Sequence, residues 1–170
     1  MYATVENICT NYGYREISEL LWDEENDITE ILLRDAVAEN DLSAYTQQEQ
    51  NSIALAIARV NIMLQQQSNK IDTYVGSAYV LPLTIEVVDA TPLQECCAAL
   101  TRAVLSDDGD NLAKHILDER KHWLEWLKNL AKRDIVLPGA QRVPIDETGT
   151  GYDNRRLTKT PSSCIDFSNY

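Results

Sequence analysis

The sequence predicts a mainly α protein: a small helical bundle built on two long helices, with a short β element and an extended C-terminal arm. Three observations carry that expectation. Apolar residues Ile53, Ile57, Val60, Leu64, Ile71, Val75 and Ala78 alternate at three and four, a near-heptad stripe that marks one long helix. Leu112, Ile116, Trp123, Leu127 and Leu130 mark a second. Beyond Leu137 the period stops, and residues 138–170 hold three of the five prolines and three of the six glycines with little to bury. The chain therefore divides into a helical domain, 1–137, and an arm, 138–170.

Taken in order, Thr4 is the N-cap of a short helix carrying Val5 and Ile8 and ended by Gly13. A second short helix places Ile17, Leu20 and Leu21 on one side. Asp23 to Asp27 is an acidic break, and Ile28, Ile31, Leu32, Asp35, Ala36 and Leu42 mark a helix from about Ile28 to Tyr45. Thr46-Gln47-Gln48-Glu49 fits a capping box, in which the hydroxyl accepts the N3 amide and Glu49 reaches back. The long helix that follows runs toward Ala78. Its stripe lapses at Gln65-Gln66-Gln67-Ser68-Asn69-Lys70, which reads as a solvated stretch or a break, with continuity favoured.

Pro82 lacks an N–H and pushes Leu81 out of the α region, so the chain turns there into an apolar elbow of Tyr79, Leu81 and Leu83. Thr84 to Val88 alternates and reads as a short strand. Thr91 then caps another helix, with Pro92 at its first position and Gln94 completing the box. Cys97, Leu100, Val104 and Leu105 face inward, and Ser106-Asp107-Asp108-Gly109 ends it. Asp110 or Asn111 opens the last long helix, whose basic end (Lys128, Lys132, Arg133) complements the negative C-terminus of the helix dipole.

Composition excludes several classes. At 170 residues and 44% hydrophobic content, one compact domain with its own core is expected. No apolar run approaches 18 residues, so no membrane span is expected, and no basic or apolar leader predicts a signal peptide. Cys9, Cys96, Cys97 and Cys164 show no Cys-x-x-Cys or Cys/His spacing, which reads as free thiols in a reducing cytoplasm. Residues 1–50 carry 12 acidic and 2 basic side chains, whereas the rest of the chain is near balance. A protein that grips DNA needs a basic footprint, so specific nucleic-acid binding is disfavoured.

Candidate chemistry is thin. Glu119-Arg120-Lys121-His122 has the Glu-x-x-His spacing of carboxylate di-iron bundles, but such sites need two motifs and two further glutamates, and the chain has two histidines in all. With His115 four residues before Glu119, a lone surface metal site is geometrically open, while a solvated face with i,i+4 pairing is the plainer reading. Asp107-Asp108-Gly109-Asp110-Asn111 lacks the Gly and Glu of a calcium loop, and Gly149-Thr150-Gly151 neither follows a strand nor opens a helix. No nucleophile motif stands out. Neither an enzyme, a cofactor nor a metal is expected.

Ile71-Asp72-Thr73-Tyr74 followed by Tyr79-Val80-Leu81-Pro82-Leu83 resembles the centre of a Mu-like phage family of head-completion or head–tail connector proteins. Met1-Tyr2-Ala3-Thr4-Val5-Glu6 with Asn7-Ile8 and the Tyr12-Gly13 stop is similar to the family's opening helix. His122-Trp123-Leu124-Glu125-Trp126-Leu127-Lys128-Asn129-Leu130-Ala131-Lys132 resembles its closing one. Together these cover most of residues 1–22 and 49–137, whereas 23–48 looks like an insertion.

The resemblance implies a virion protein of the neck, assembled in the host cytoplasm as a homo-oligomeric ring under the portal, commonly twelvefold. Such a ring joins the DNA-filled head to a neck or tail protein below and passes DNA without binding it specifically. The arm would engage the portal or a neighbouring copy by lying along it, through Ile135, Val136, Leu137, Arg142, Tyr152, Arg155, Arg156, Phe167 and Tyr170. The elbow (Tyr79, Leu81, Pro82, Leu83) would contact a neighbour or the layer below. Asp23, Glu24, Glu25, Asp27 and Glu30 would line the channel and keep exiting DNA from adhering. The same acids read equally as a solvated outer face. Alternatives are a tail terminator or tail-completion protein, and an acidic helical binding module that mimics DNA.

Overall fold

A computed structural model describes residues 1–21, 28–106 and 113–144. Seven helices account for most of them: α1 (Val5–Tyr12), α2 (Tyr14–Leu21), α3 (Glu30–Val37), α4 (Gln47–Val75), α5 (Ile85–Asp89), α6 (Leu93–Leu105) and α7 (Lys114–Ala131). The mainly α bundle expected from the sequence is what forms. The β content of the described residues is one isolated antiparallel bridge, between Tyr79 and Arg142. None of these helices is long and apolar enough to cross a membrane.

The long helices α4 and α7 frame the bundle, but its axis is the 13-residue α6. Leu93, Cys96, Cys97, Ala98, Ala99, Leu100, Thr101 and Ala103 on α6 are all buried, so the helix is covered on every side by α1, α4, α5 and α7. A helix that is apolar all round belongs at the centre. Its small residues permit close approach of the neighbouring backbones. Burial raises the Cys9 thiol to about 11 and pushes Cys96 and Cys97 upward as well, so these free thiols stay protonated and packed.

The N-caps of the first and fourth helices match the sequence. Thr4 accepts the Asn7 amide at 3.2 Å and the Asn7 side chain takes the Thr4 N–H at 2.8 Å. Thr46 accepts from the Glu49 N–H at 3.3 Å while Glu49 takes the Thr46 N–H at 2.7 Å. Helix α4 is continuous for 29 residues, about 43 Å, through the polar patch at 65–70. Two of its patch residues point inward rather than to solvent: Gln67 and Ser68 are buried. The Ser68 hydroxyl accepts the Tyr2 N–H at 3.0 Å, tying the N-terminus to the middle of α4. Ser68→Ala should cost about 1–2 kcal/mol, because a buried donor loses its acceptor. Urea unfolding of the variant measures it.

Four element boundaries differ from expectation. The helix expected over 28–45 stops at Val37, because Glu39 takes φ +55° and the Asn40 N–H closes on the Asp35 carbonyl at 2.9 Å. Asn40 and Tyr45 then both donate to the Asp35 carboxylate, and Ser43 folds an Asx turn onto Asp41. The strand expected at Thr84–Val88 is instead α5: Thr84 is extended at the N-cap, Val87 turns inward, and no strand among the described residues lies alongside to pair with. Thr91 does not cap α6, since its hydroxyl donates back to the Val88 carbonyl at 3.1 Å and Pro92 holds the cap position. Finally, α7 begins at Lys114, with Ala113 at its N-cap, and the Asp110 or Asn111 start lies outside the described residues.

Candidate functional site

The end of α4 builds the elbow. The chain leaves the helix at Gly76, where a Cβ would stand 3.0 Å from the Asp72 carbonyl and 3.1 Å from Leu81 Cδ1, so a side chain there would make Leu81 give by a few tenths of an ångström. Tyr79 is 1% exposed and drops into the core, and the Leu81–Pro82 bond is cis. The Tyr79 hydroxyl donates to the Ile135 carbonyl at 3.2 Å and accepts the Leu137 N–H at 2.9 Å.

Residues 135–143 form a strap across this elbow. Arg133 at φ +70° reverses the chain after α7, and Gly139 at φ +75° brings it against Val87. The Val80 N–H then donates to the Gln141 carbonyl at 2.8 Å, and the Val143 N–H to the Ala78 carbonyl at 3.0 Å. Arg133 Nη2 clamps the Val143 carbonyl at 3.0 Å.

Of the residues expected to reach a neighbour, Leu137 is buried in its own chain's core and Ile135 packs against it. Leu137 therefore anchors the strap and is not an arm contact. Backbone pairing with the elbow accordingly continues past 137, to Val143. Tyr79 is likewise a core anchor and offers no surface. What faces outward are Val80 at 43%, Leu81 at 36%, Ile85 at 71% and Val136 at 59%, together with exposed Pro82 and Arg142. Beside them lies a cleft of about 320 Å³, lined by Met1, Tyr2, Asp72, Leu81, Pro82, Leu83 and Val88. At its base the Tyr2 hydroxyl donates to Asp72, and burial, reinforced by that bond, pushes the phenol's pKa well up. Tyr152, Arg155, Arg156, Phe167 and Tyr170 lie outside the described residues.

A second constellation joins α1, α2, α6 and α7 around Arg102. Its guanidinium donates to Glu16 Oε1 at 2.6 Å through Nε and to Glu119 Oε2 at 2.9 Å through Nη1. Nη2 lies 3.2 Å from His115 Nε2. A guanidinium only donates, so a hydrogen bond there requires the lone pair on that ring nitrogen. The Tyr12 ring lies 4.3 Å from the Arg102 guanidinium carbon, and the Tyr12 hydroxyl donates to Glu119 Oε1 at 2.9 Å. Glu119 Oε2 and His115 thus face a fixed cation, while Glu119 Oε1 takes the Tyr12 hydroxyl, an arrangement that disfavours a metal ion. His122, three residues on, stacks edge-on with Trp123 at 5.5 Å and does not join them. Sequence reasoning missed Arg102 and Glu16, although one cation within the apolar second half of α6 was a readable signal.

The acid-rich N-terminal third is only partly described. Asp23, Glu24, Glu25 and Asp27 lie outside the described residues. Glu30 pairs with Arg34, Glu19 with Arg15, and Glu49 with its own helix cap. Hydrogen bonds from Tyr45 to Asp35, from Ser43 to Asp41 and from Thr46 to Glu49 hold these carboxyls below the ordinary carboxylate range. Their contribution is present above that range and is lost as pH falls through the lower native values. Amide exchange should therefore show the 38–49 connection loosening in acid before α6 does.

The geometry defines a class: a helical-bundle protein without a formed catalytic centre among the described residues, whose distinctive surface is an apolar elbow clamped by a C-terminal strap. The chain matches the family described as Bacteriophage Mu, Gp36, over residues 2–152, and it belongs to that family of Mu-like phage proteins. Neither the curated proteins nor the solved structures include a match.

Proposed function

We propose that this chain is a head–tail connector subunit, a non-enzymatic structural protein that forms a ring beneath the portal and joins the filled head to the neck or tail. Family membership supplies the phage context, and the elbow supports the interaction role. A monomer gains nothing from holding Val80, Leu81, Ile85 and Val136 in water, whereas an interface buries them. The strap also delivers the chain beyond Pro144 from this same end, so tail and elbow can engage one neighbour. A DNA mimic would need its carboxylates in a free exposed row, whereas most of the described ones serve caps, turns and ion pairs.

Phage deprived of the protein tests the reading. Filled heads and finished tails should accumulate apart, and adding the purified chain should join them. Joined, infectious particles formed without it would overturn the connector role. Defects confined to tail length would move it to a tail terminator. Within the same reading, the acids at 23–27 face the DNA channel. Changing Asp23, Glu24 and Glu25 together to Lys should then slow genome ejection, and unchanged ejection would place those acids on the outer face.

A further inference from the structure

Helix α4 carries an unusual outer face. From Gln50 to Asn69 the only charged residue is Arg59, in a chain that is 25% charged. Leu55 and Ile62 stand in water, 72% and 61% exposed, with exposed Ala58 between them. Positions 55, 58 and 62 fall three and four apart on one side of the helix, opposite the buried stripe of Ile53, Val60 and Leu64. Polar positions at the two ends of this outer stripe are satisfied within the helix: Gln47 donates to Asn51 at 3.1 Å and Gln65 to Asn69 at 2.9 Å. Depletion of charge around large aliphatics is the composition of an interface core, not of a solvated face.

The charge distribution says what covers it. The chain carries a net charge of −12. A basic partner would be drawn to the acidic third, not to a face without an anion. Two copies of an acidic chain repel least where the approaching surfaces carry little negative charge, and the described residues include two such surfaces. One is the convex α4 stripe, flanked by Arg59; the other is the elbow cleft, where Leu81, Pro82 and Leu83 surround one carboxylate, Asp72, which takes the Tyr2 hydroxyl. They sit apart along α4, since Ile62 precedes the helix end at Val75 by about 20 Å. Two different patches on one molecule make a head-to-tail contact, which closes into a ring where the rotation between copies allows. We infer that the α4 stripe around Leu55, Ala58 and Ile62 of one copy seats in the elbow cleft of the next copy. The ring geometry rests on the connector reading, but the contact itself requires only that copies assemble.

Cysteine cross-linking tests it, in chains where Cys164 is replaced by Ser and the buried thiols of Cys9, Cys96 and Cys97 stay unreactive. The variants are Ile62→Cys, Leu81→Cys and both together, oxidised in whatever purified particle carries the chain, whether portal-bound or tail-bound. One chain carrying both cysteines should give a ladder of linked copies on a non-reducing gel, while each single variant gives none. Dimers from Ile62→Cys alone would show stripe against stripe and overturn the inference, as would no cross-link in particles that contain the protein. Ile62→Asp should leave the thermal midpoint of the free chain unchanged and lower its incorporation into particles at least tenfold. Unaltered incorporation would equally overturn it. The connector reading fails separately, if the particle that carries the chain is never the portal.

Discussion

Arg102→Met is expected to destabilise the fold by about 2–4 kcal/mol, in urea unfolding followed by circular dichroism and tryptophan fluorescence. The side chain of Arg102 is 8% exposed, and those of Glu16 and Glu119 are 36% and 32% exposed. Removing the cation leaves two carboxylates and the Tyr12 hydroxyl facing each other without a counter-charge. Partial access of water to both glutamates keeps the loss below the full cost of an orphaned buried charge. Arg102→Lys should recover only part of it, since one ammonium cannot span Glu16, Glu119 and His115 at once. Neutralising the whole group, with Arg102→Met, Glu16→Gln and Glu119→Gln together, should be milder than Arg102→Met alone. The reverse order would mean that the network contributes attraction beyond relieving its own desolvation.

Tyr79→Ala should cost about 3–5 kcal/mol, because it deletes a fully buried aromatic at the junction of elbow and strap. Tyr79→Phe separates the two roles of that side chain. It keeps the ring and removes the hydroxyl that serves Ile135 and Leu137, leaving the buried Leu137 N–H without an acceptor, for about 1–3 kcal/mol. The loss should be local: amide exchange at Leu137, Val143 and Val80 rises while α6 stays protected. Equal loosening of α6 would mean that the strap is part of the global folding unit. The strap also dictates where the tail is cut. Truncation after Gly139 removes Gln141 and Val143, which hold Ala78 and Val80, and so damages the elbow itself. Truncation after Pro144 removes the tail alone.

Helix α4 was legible because two independent signals agree there, the near-heptad stripe and the Thr46–Glu49 box. The elbow was legible because Pro82 forbids continuation and the flanking residues are apolar. The centrality of α6 was not. Periodicity counts large aliphatics, so Cys97, Leu100 and Leu105 suggested one buried face, while Ala98, Ala99 and Ala103 bury the other faces through small size. Alternation at 84–88 was misleading, because a strand needs a partner and the backbone at Thr84 offered a helix cap instead. The stop after α3 depends on Glu39 at positive φ, which no residue type announces. At the candidate site, the exposed rim Leu81 and Pro82 was readable. The inward turn of Leu137 depends on a hydrogen bond between residues 58 apart and was not.

The most direct measurement of the connector role is particle mass by light scattering, for portal particles alone and after mixing with the full chain or with the chain ended at Pro144. The connector role predicts a stepwise mass gain equal to one ring of copies for the full chain, and loss of that gain for the shortened one. An unchanged portal mass with the full chain would contradict it.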